Sequence, residues 1–147
     1  MRRILLGVLC LLLCACSSLE APPSEAAGPA QGNSLPGTIT FGSAVNQRTL
    51  EVNNPKTSFR LNQQVAWSAS LDRAVDDTKI NVVITRSGDD TELFTYEQFI
   101  TDPGATILVN RMPLGRFLPQ PGSYVMKYVT IDGDVVAEGA FQLAGSN

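Results

Sequence analysis

Histidine is absent from this 147-residue sequence. That absence removes Ser-His-Asp and Cys-His nucleophilic catalysis, imidazole general-base chemistry and His-ligated zinc or copper. Cysteine is scarce and segregated. Cys10, Cys14 and Cys16 lie near the N-terminus and none follows, so a disulfide within the body of the chain is excluded. Basic residues number 11 against 14 acidic ones, with no cluster beyond Arg2-Arg3. Nucleic acid, which is held by lysine and arginine on its phosphates, is therefore not an expected partner. The same balance argues against strong attraction to anionic lipid surfaces. No apolar run reaches the roughly 20 residues that a membrane-spanning helix needs. Motifs for phosphate cradling, metal-dependent hydrolysis and nucleotide binding are missing. Carboxylates for glycoside hydrolysis are present, but that chemistry needs a deep cleft on a larger scaffold. Nothing marks a base beside a serine or lysine nucleophile. A small hydrolase is the least favoured function.

What is present begins at the N-terminus. Met1-Arg2-Arg3 precedes an almost wholly apolar run from Ile4 to Ala15. A cationic start, an apolar stretch and small residues form the plan of a secretory signal. The stretch closes on Leu13-Cys14-Ala15-Cys16. This resembles the lipobox of bacterial lipoproteins, in which a leucine, a small residue and Ala or Gly precede the modified cysteine. The resemblance covers residues 1–18. It implies that residues 1–15 are a signal peptide, cut off before Cys16, and that the Cys16 thiol carries the lipid. Cys14 departs from the commoner Ala or Ser but is small. Cys10 and Cys14 do not fit as the modified residue, because Leu9 and Leu13 precede them. Ser17, rather than Asp, implies the outer membrane in a Gram-negative envelope. Cleavage removes two of the 11 basic residues and none of the 14 acidic ones. Each buried acyl methylene contributes about 0.8 kcal/mol, so two or three chains anchor firmly.

After the lipidated cysteine, residues 16–37 read as a linker. Pro, Ala, Ser and Gly dominate there, and large apolar side chains are almost missing. Such a stretch buries too little surface to offset its ordering entropy. Its expected mean reach is on the order of 25 Å, enough to hold a domain off the lipid surface.

From Thr38 to the end at residue 147 the dominant signal is period-two alternation, which predicts an all-β domain. Val65, Trp67, Ala69 and Leu71 form one apolar set. Ile80, Val82 and Ile84 form a second, and Val135, Ala137, Phe141 and Leu143 a third. Expected strands cover 38–45, 48–52 with 58–61, 64–71, 79–87, 91–100, 105–112, 122–131 and 134–143. The clusters Ser87-Gly88-Asp89-Asp90 and Asp102-Pro103-Gly104 carry turn chemistry. Asp132-Gly133-Asp134 predicts a tight hairpin with Gly133 at positive φ. About seven short strands at this spacing predict a two-sheet sandwich.

Leu118-Pro119-Gln120-Pro121-Gly122-Ser123-Tyr124 looks like the approach to a tyrosine corner. With Trp67 on an early core strand, residues 59–144 resemble an immunoglobulin-like or fibronectin III-like sandwich, without the two cysteines of antibody domains. The resemblance implies architecture and almost nothing about function. Trp67 reads as a core residue rather than a stacking platform, because its period-two neighbours are apolar.

Up-and-down strands would gather the loop 72–78, the turn 101–104 and the hairpin 132–134 at one pole. Asp72, Asp76, Asp77, Asp102, Asp132 and Asp134 lie in these segments with Arg73 and Lys79. Two readings follow. Asp favours turns for its local hydrogen bonds, which makes these solvated turn residues. Alternatively they hold Ca²⁺, which takes six to eight oxygens, or meet a basic partner. No other cofactor is expected. The function that fits these observations is a non-enzymatic envelope lipoprotein, anchored to the membrane at Cys16, that binds protein or polysaccharide. A structural accessory subunit of a larger envelope complex is the alternative.

Overall fold

A computed structural model describes residues 35–145. The signal segment 1–15, Cys16 and the linker as far as residue 34 lie outside the described residues. The strands are β1 (Gly37–Gly42), β2 (Ala44–Val45), β3 (Val52–Asn53), β4 (Ser58–Arg60) and β5 (Val65–Ser70). They continue with β6 (Lys79–Arg86), β7 (Asp89–Phe99), β8 (Ile107–Met112), β9 (Gly122–Val129) and β10 (Val135–Ala144). One 3-10 turn, Leu114–Arg116, is the only helical element among the described residues. The all-β expectation holds.

Seven strands form one mixed sheet in the order β7-β6-β9-β10-β1-β5-β8. Neighbours are antiparallel except β1 and β10, which run parallel over Gly37–Thr38 and Ala137–Glu138. β4 pairs in parallel with the far end of β10, at Gln142–Ala144. β2 and β3 form a separate small sheet. The large sheet curls over a single core. Trp67 of β5 donates its indole N–H to the Tyr128 hydroxyl of β9 at 2.9 Å, across three steps of the strand order. The two ends of the order also meet. Asn110 of β8 donates to Tyr96 and Gln98 of β7 at 3.1 and 3.2 Å.

The alternation read from the sequence positions most of this core. Val65, Trp67 and Ala69 are fully buried, as are Ile80, Val82 and Ile84. Phe41, Phe59, Tyr124 and Phe141 fill the rest with Tyr128. β10 departs from the expected register. A bulge between Val135 and Ala137 inserts Val136 as an extra residue. Val136 and Ala137 are then both fully buried, and Val135 is only half-buried. The expected alternation put Val135 inside and Val136 outside; a bulge breaks the period by one residue and cannot be read from apolarity alone.

The expected strands 38–45 and 48–52 also need correction. β1 ends at Gly42, where any side chain would strike the Val52 methyls and the Asn53 carbonyl. The chain leaves the large sheet there and returns as the β2–β3 hairpin. Residues 48–50 are turn rather than strand. Asn46 Oδ1 accepts from the Arg48 and Thr49 amides at 2.9 and 3.4 Å, and Leu50 sits at φ 58°. An Asn side chain that captures backbone donors overrides the strand preference of Thr and Leu. The hairpin lies over the outer face of β5 and β1, beside Thr40, Ser68 and Ser70. That cover explains why Ala66, on the outward register, is fully buried. Ser87-Gly88 alone makes the β6–β7 turn, with Gly88 at φ 80°, and Asp89 and Asp90 belong to β7. Strand β8 begins at Ile107 rather than residue 105.

A polar chain threads this apolar core. Tyr128 receives the Trp67 N–H and donates to Gln98 Oε1 at 2.8 Å. Gln98 and Tyr96 in turn accept from Asn110. Burial pushes the Tyr128 phenol far above its ordinary range, against the pull of its hydrogen bonds with Trp67 and Gln98. Burial, then proximity to Tyr128, pushes Tyr96 up as well.

Two outcomes are expected. Trp67→Ala should destabilise the domain by about 3–5 kcal/mol, the range for emptying a large aromatic site. Trp67→Phe should still cost about 1–3 kcal/mol, because the Tyr128 hydroxyl loses its buried donor. Denaturant unfolding measures both; near-wild-type stability of Trp67→Ala would contradict a core role. Tyr96 and Tyr128 have raised folded-state pKa values, so their contribution is complete below the unfolded tyrosine pKa of about 10 and is lost as pH rises above it. Phenolate absorbance of the native protein should therefore lag that of the protein unfolded in guanidinium, and the late rise should coincide with loss of structure. Full ionisation near pH 10 with the fold intact would contradict this.

Candidate functional site

The register defines two poles. Thr38 lies opposite Ser70, Lys79 opposite Phe99 and Asn81 opposite Val129. The start of β1 therefore shares one end with the loops 71–78, 100–106 and 130–134. At the other end stand the β6–β7 turn, the segment 113–121 and the last residues of β10.

The first pole carries the six aspartates. Asp76, Asp77, Asp132 and Asp134 border a shallow hollow of about 270 Å³, with Arg73 among its walls. The hairpin beneath is well tied. The Thr130 amide donates to the Asp134 carbonyl at 2.9 Å, the Asp134 amide to Thr130 Oγ1 at 3.1 Å, and Gly133 takes φ 94°. Arg73 forks between two of the acids, 2.7 Å from Asp134 and 3.5 Å from the largely buried Asp72 carboxylate. Neither Asp72 nor Asp102 lines the hollow; Asp102 lies in the 101–104 turn, where its carbonyl accepts from Ala105. Arg73 thus pairs with two of the six carboxylates. Among the described residues no three acidic groups stand close enough to hold a metal ion.

The opposite pole carries a cleft of about 250 Å³ that sequence reasoning did not single out. Its apolar wall is Leu93, Phe117, Leu118 and Pro119, and its polar side is Arg86 and Gln120 over the Tyr124 ring. Local structure holds each part. A side chain at Gly115 would strike the Leu61 backbone, so the 3-10 turn packs flat and carries Phe117 outward. Phe117 then stacks on Phe94 of β7, with centroids 4.5 Å apart and planes 22° apart. The Tyr124 hydroxyl donates to the Gln120 carbonyl at 2.6 Å, which fixes the chain entering β9. Arg86 Nη2 donates to Gln120 Oε1 at 2.9 Å, and its guanidinium lies 5.9 Å from the Tyr124 centroid. Across the turn, hydrogen bonds from Thr91 hold the Asp89 carboxyl below its usual range, with Arg86 helping.

Exposed large apolar residues fall into these same regions. Leu93 and Phe117 edge the cleft, while Leu35, Phe99, Ile107 and Ile131 stand toward the acidic pole. The sequence signal for the cleft lay in 118–124, which reads as a structural corner. Nothing in the alternation shows that a corner also closes a cavity. No family model matches the chain, and a search of curated proteins finds no match.

Because Arg73 already balances Asp72 and Asp134, millimolar calcium should raise the melting temperature no more than a monovalent salt of equal ionic strength. Arg73→Gln should cost on the order of 1 kcal/mol, because the Asp134 pair is exposed and contributes little while the Asp72 carboxylate is largely buried. Its stability should recover in high salt, which screens the uncovered repulsion. Scanning calorimetry decides between the readings: a calcium-specific shift, abolished by Asp76→Asn with Asp134→Asn, would support the cation reading instead.

Proposed function

We propose that this chain is a lipid-anchored, non-enzymatic envelope module of immunoglobulin-like or fibronectin III-like type that binds protein or polysaccharide. The observation that carries the anchor is Leu13-Cys14-Ala15-Cys16 at the end of the apolar run that starts at Ile4. Three features support the sandwich type. The strand order divides at the short β1–β10 contact into β1-β5-β8 and β7-β6-β9-β10. The Tyr124 hydroxyl closes onto the carbonyl four residues earlier, as in a tyrosine corner. Trp67 is fully buried beneath both arms.

Geometry supports a binding role. The described chain enters β1 at the acidic pole, and the cleft lies at the opposite pole of the domain. Acidic loops facing an anionic lipid surface would be repelled, which favours a domain held clear of the membrane. In a Gram-negative envelope, Ser17 favours the outer membrane.

Cys16→Ala should move the protein out of the membrane fraction and abolish incorporation of a labelled fatty acid. Label that persists in this variant would sink the anchor at Cys16. An accessory subunit would instead leave detergent extracts in a fixed-stoichiometry complex, which a pull-down of the wild-type chain separates from a ligand-dependent one.

A further inference from the structure

We propose that the cleft between Leu93 and Phe117 binds the C-terminus of a polypeptide ending in a large apolar residue. This deepens the binding-module reading and rests on it. At about 250 Å³ the cleft falls below the usual range for small-molecule pockets and suits one large side chain. Leu93 and Phe117 are 45% and 44% exposed and edge the cleft. An apolar side chain settling between them would release ordered water from both.

The polar side specifies a carboxylate. Arg86 carries five N–H donors in a planar fork. One is spent on Gln120, and among the described residues Arg86 forms no salt bridge. Asp89, its neighbour across the turn, accepts from the Thr91 amide at 2.9 Å; Arg86 acts on its charge at a distance but forms no direct ion pair with it. Gln120 uses its side-chain oxygen on Arg86 and its backbone oxygen on Tyr124, so its amide nitrogen remains to donate. Two donor groups fixed beside an apolar wall match an oxyanion attached to an apolar group. Guanidinium and carboxylate pair by two parallel hydrogen bonds, which gives direction as well as attraction.

A polypeptide fits better than a fatty acid. A volume of about 250 Å³ suits one side chain better than a long acyl chain. β7 ends the strand order and pairs only with β6, so the strand that carries Leu93 has one edge without a strand partner among the described residues. An extended peptide can add to such an edge while its last side chain enters the pocket.

The test uses the full chain in detergent micelles and isothermal calorimetry. The probe is acetyl-Ala-Ala-Phe with a free carboxylate, compared with the same peptide as the C-terminal amide. The acid should bind at least tenfold more tightly than the amide. Micelles favour the uncharged amide, so partitioning cannot produce that preference. Arg86→Gln should lose at least tenfold, and Arg86→Lys should recover only part, because an ammonium lacks the fork. Leu93→Ala should weaken binding several-fold with an unchanged melting temperature, which separates loss of the site from loss of the fold. Equal binding of acid and amide, no heat with either, or full binding by Arg86→Gln would overturn the proposal. Octanoate binding as tightly as the peptide would overturn the polypeptide assignment. Failure here leaves the fatty-acyl label on Cys16 untouched, and failure of that label leaves the titration untouched, so the two readings fall separately.

Discussion

The hydrogen bond from Trp67 to Tyr128 is the constraint on which the rest of the structure depends. Both side chains are fully buried, so neither polar atom can turn to water. An indole N–H or a phenol left without a partner in such a place costs about 1–3 kcal/mol. The indole N–H is therefore satisfied only when β5 and β9 face one another at one register, and Tyr128 is then held from both sides by Trp67 and Gln98. Gln98 and Asn110 extend the requirement to β7 and β8, the two ends of the strand order. Apolar packing alone tolerates sliding and repacking. The polar chain does not, because a shift of one residue would strand several donors together. It gives a curled sheet a single closure without backbone pairing between its end strands.

That closure has consequences at both poles. With β5 and β9 set, the β9–β10 hairpin and the loop after β5 must meet at one end, which brings Arg73 to Asp134. At the other end, β6 and β9 place Arg86 beside Tyr124, and the crossing segment 113–121 must pass over Phe94. Gly115 lets that segment lie against Leu61, and Phe117 reaches its stacking position as a result. The cleft is a by-product of routing: a chain that crosses between the arms of the sheet cannot cover every apolar side chain it passes.

How much of this was legible in the sequence follows from the range of the signals. Strict alternation reports which residues share a face, and it located β5, β6 and the buried side chains of Trp67 and Ile80–Ile84. It reports nothing about a strand that gains a residue, so Val136 was placed outside. Turn chemistry gave the Gly133 hairpin correctly. It failed at 48–50, where one Asn side chain caps two amides, and at Asp89, where a two-residue turn needed only Gly88. Tyr124 was readable because its partner is four residues away. The Arg86–Gln120 pair is 34 residues apart, and Phe94 and Phe117 are joined only by the closure of the sheet, so no local pattern marks either. Acidic residues in turns were conspicuous in the sequence, whereas Arg73, which pairs with two of them, is one basic residue among them.

The two poles differ in how their charge is already used. Arg73 meets Asp134 and Asp72, so two of the six carboxylates at the acidic pole already share a cation. Arg86 hydrogen-bonds a neutral amide, lies over a ring face and helps to hold the Asp89 charge across the turn, without a direct ion pair to it. A guanidinium positioned in this way has donors left for an anion and has already lost part of the side-chain freedom that binding would otherwise remove. The acidic pole has six carboxylates, two of which share Arg73, and the opposite pole has one oriented cation beside exposed apolar surface, the combination on which the proposed peptide site rests.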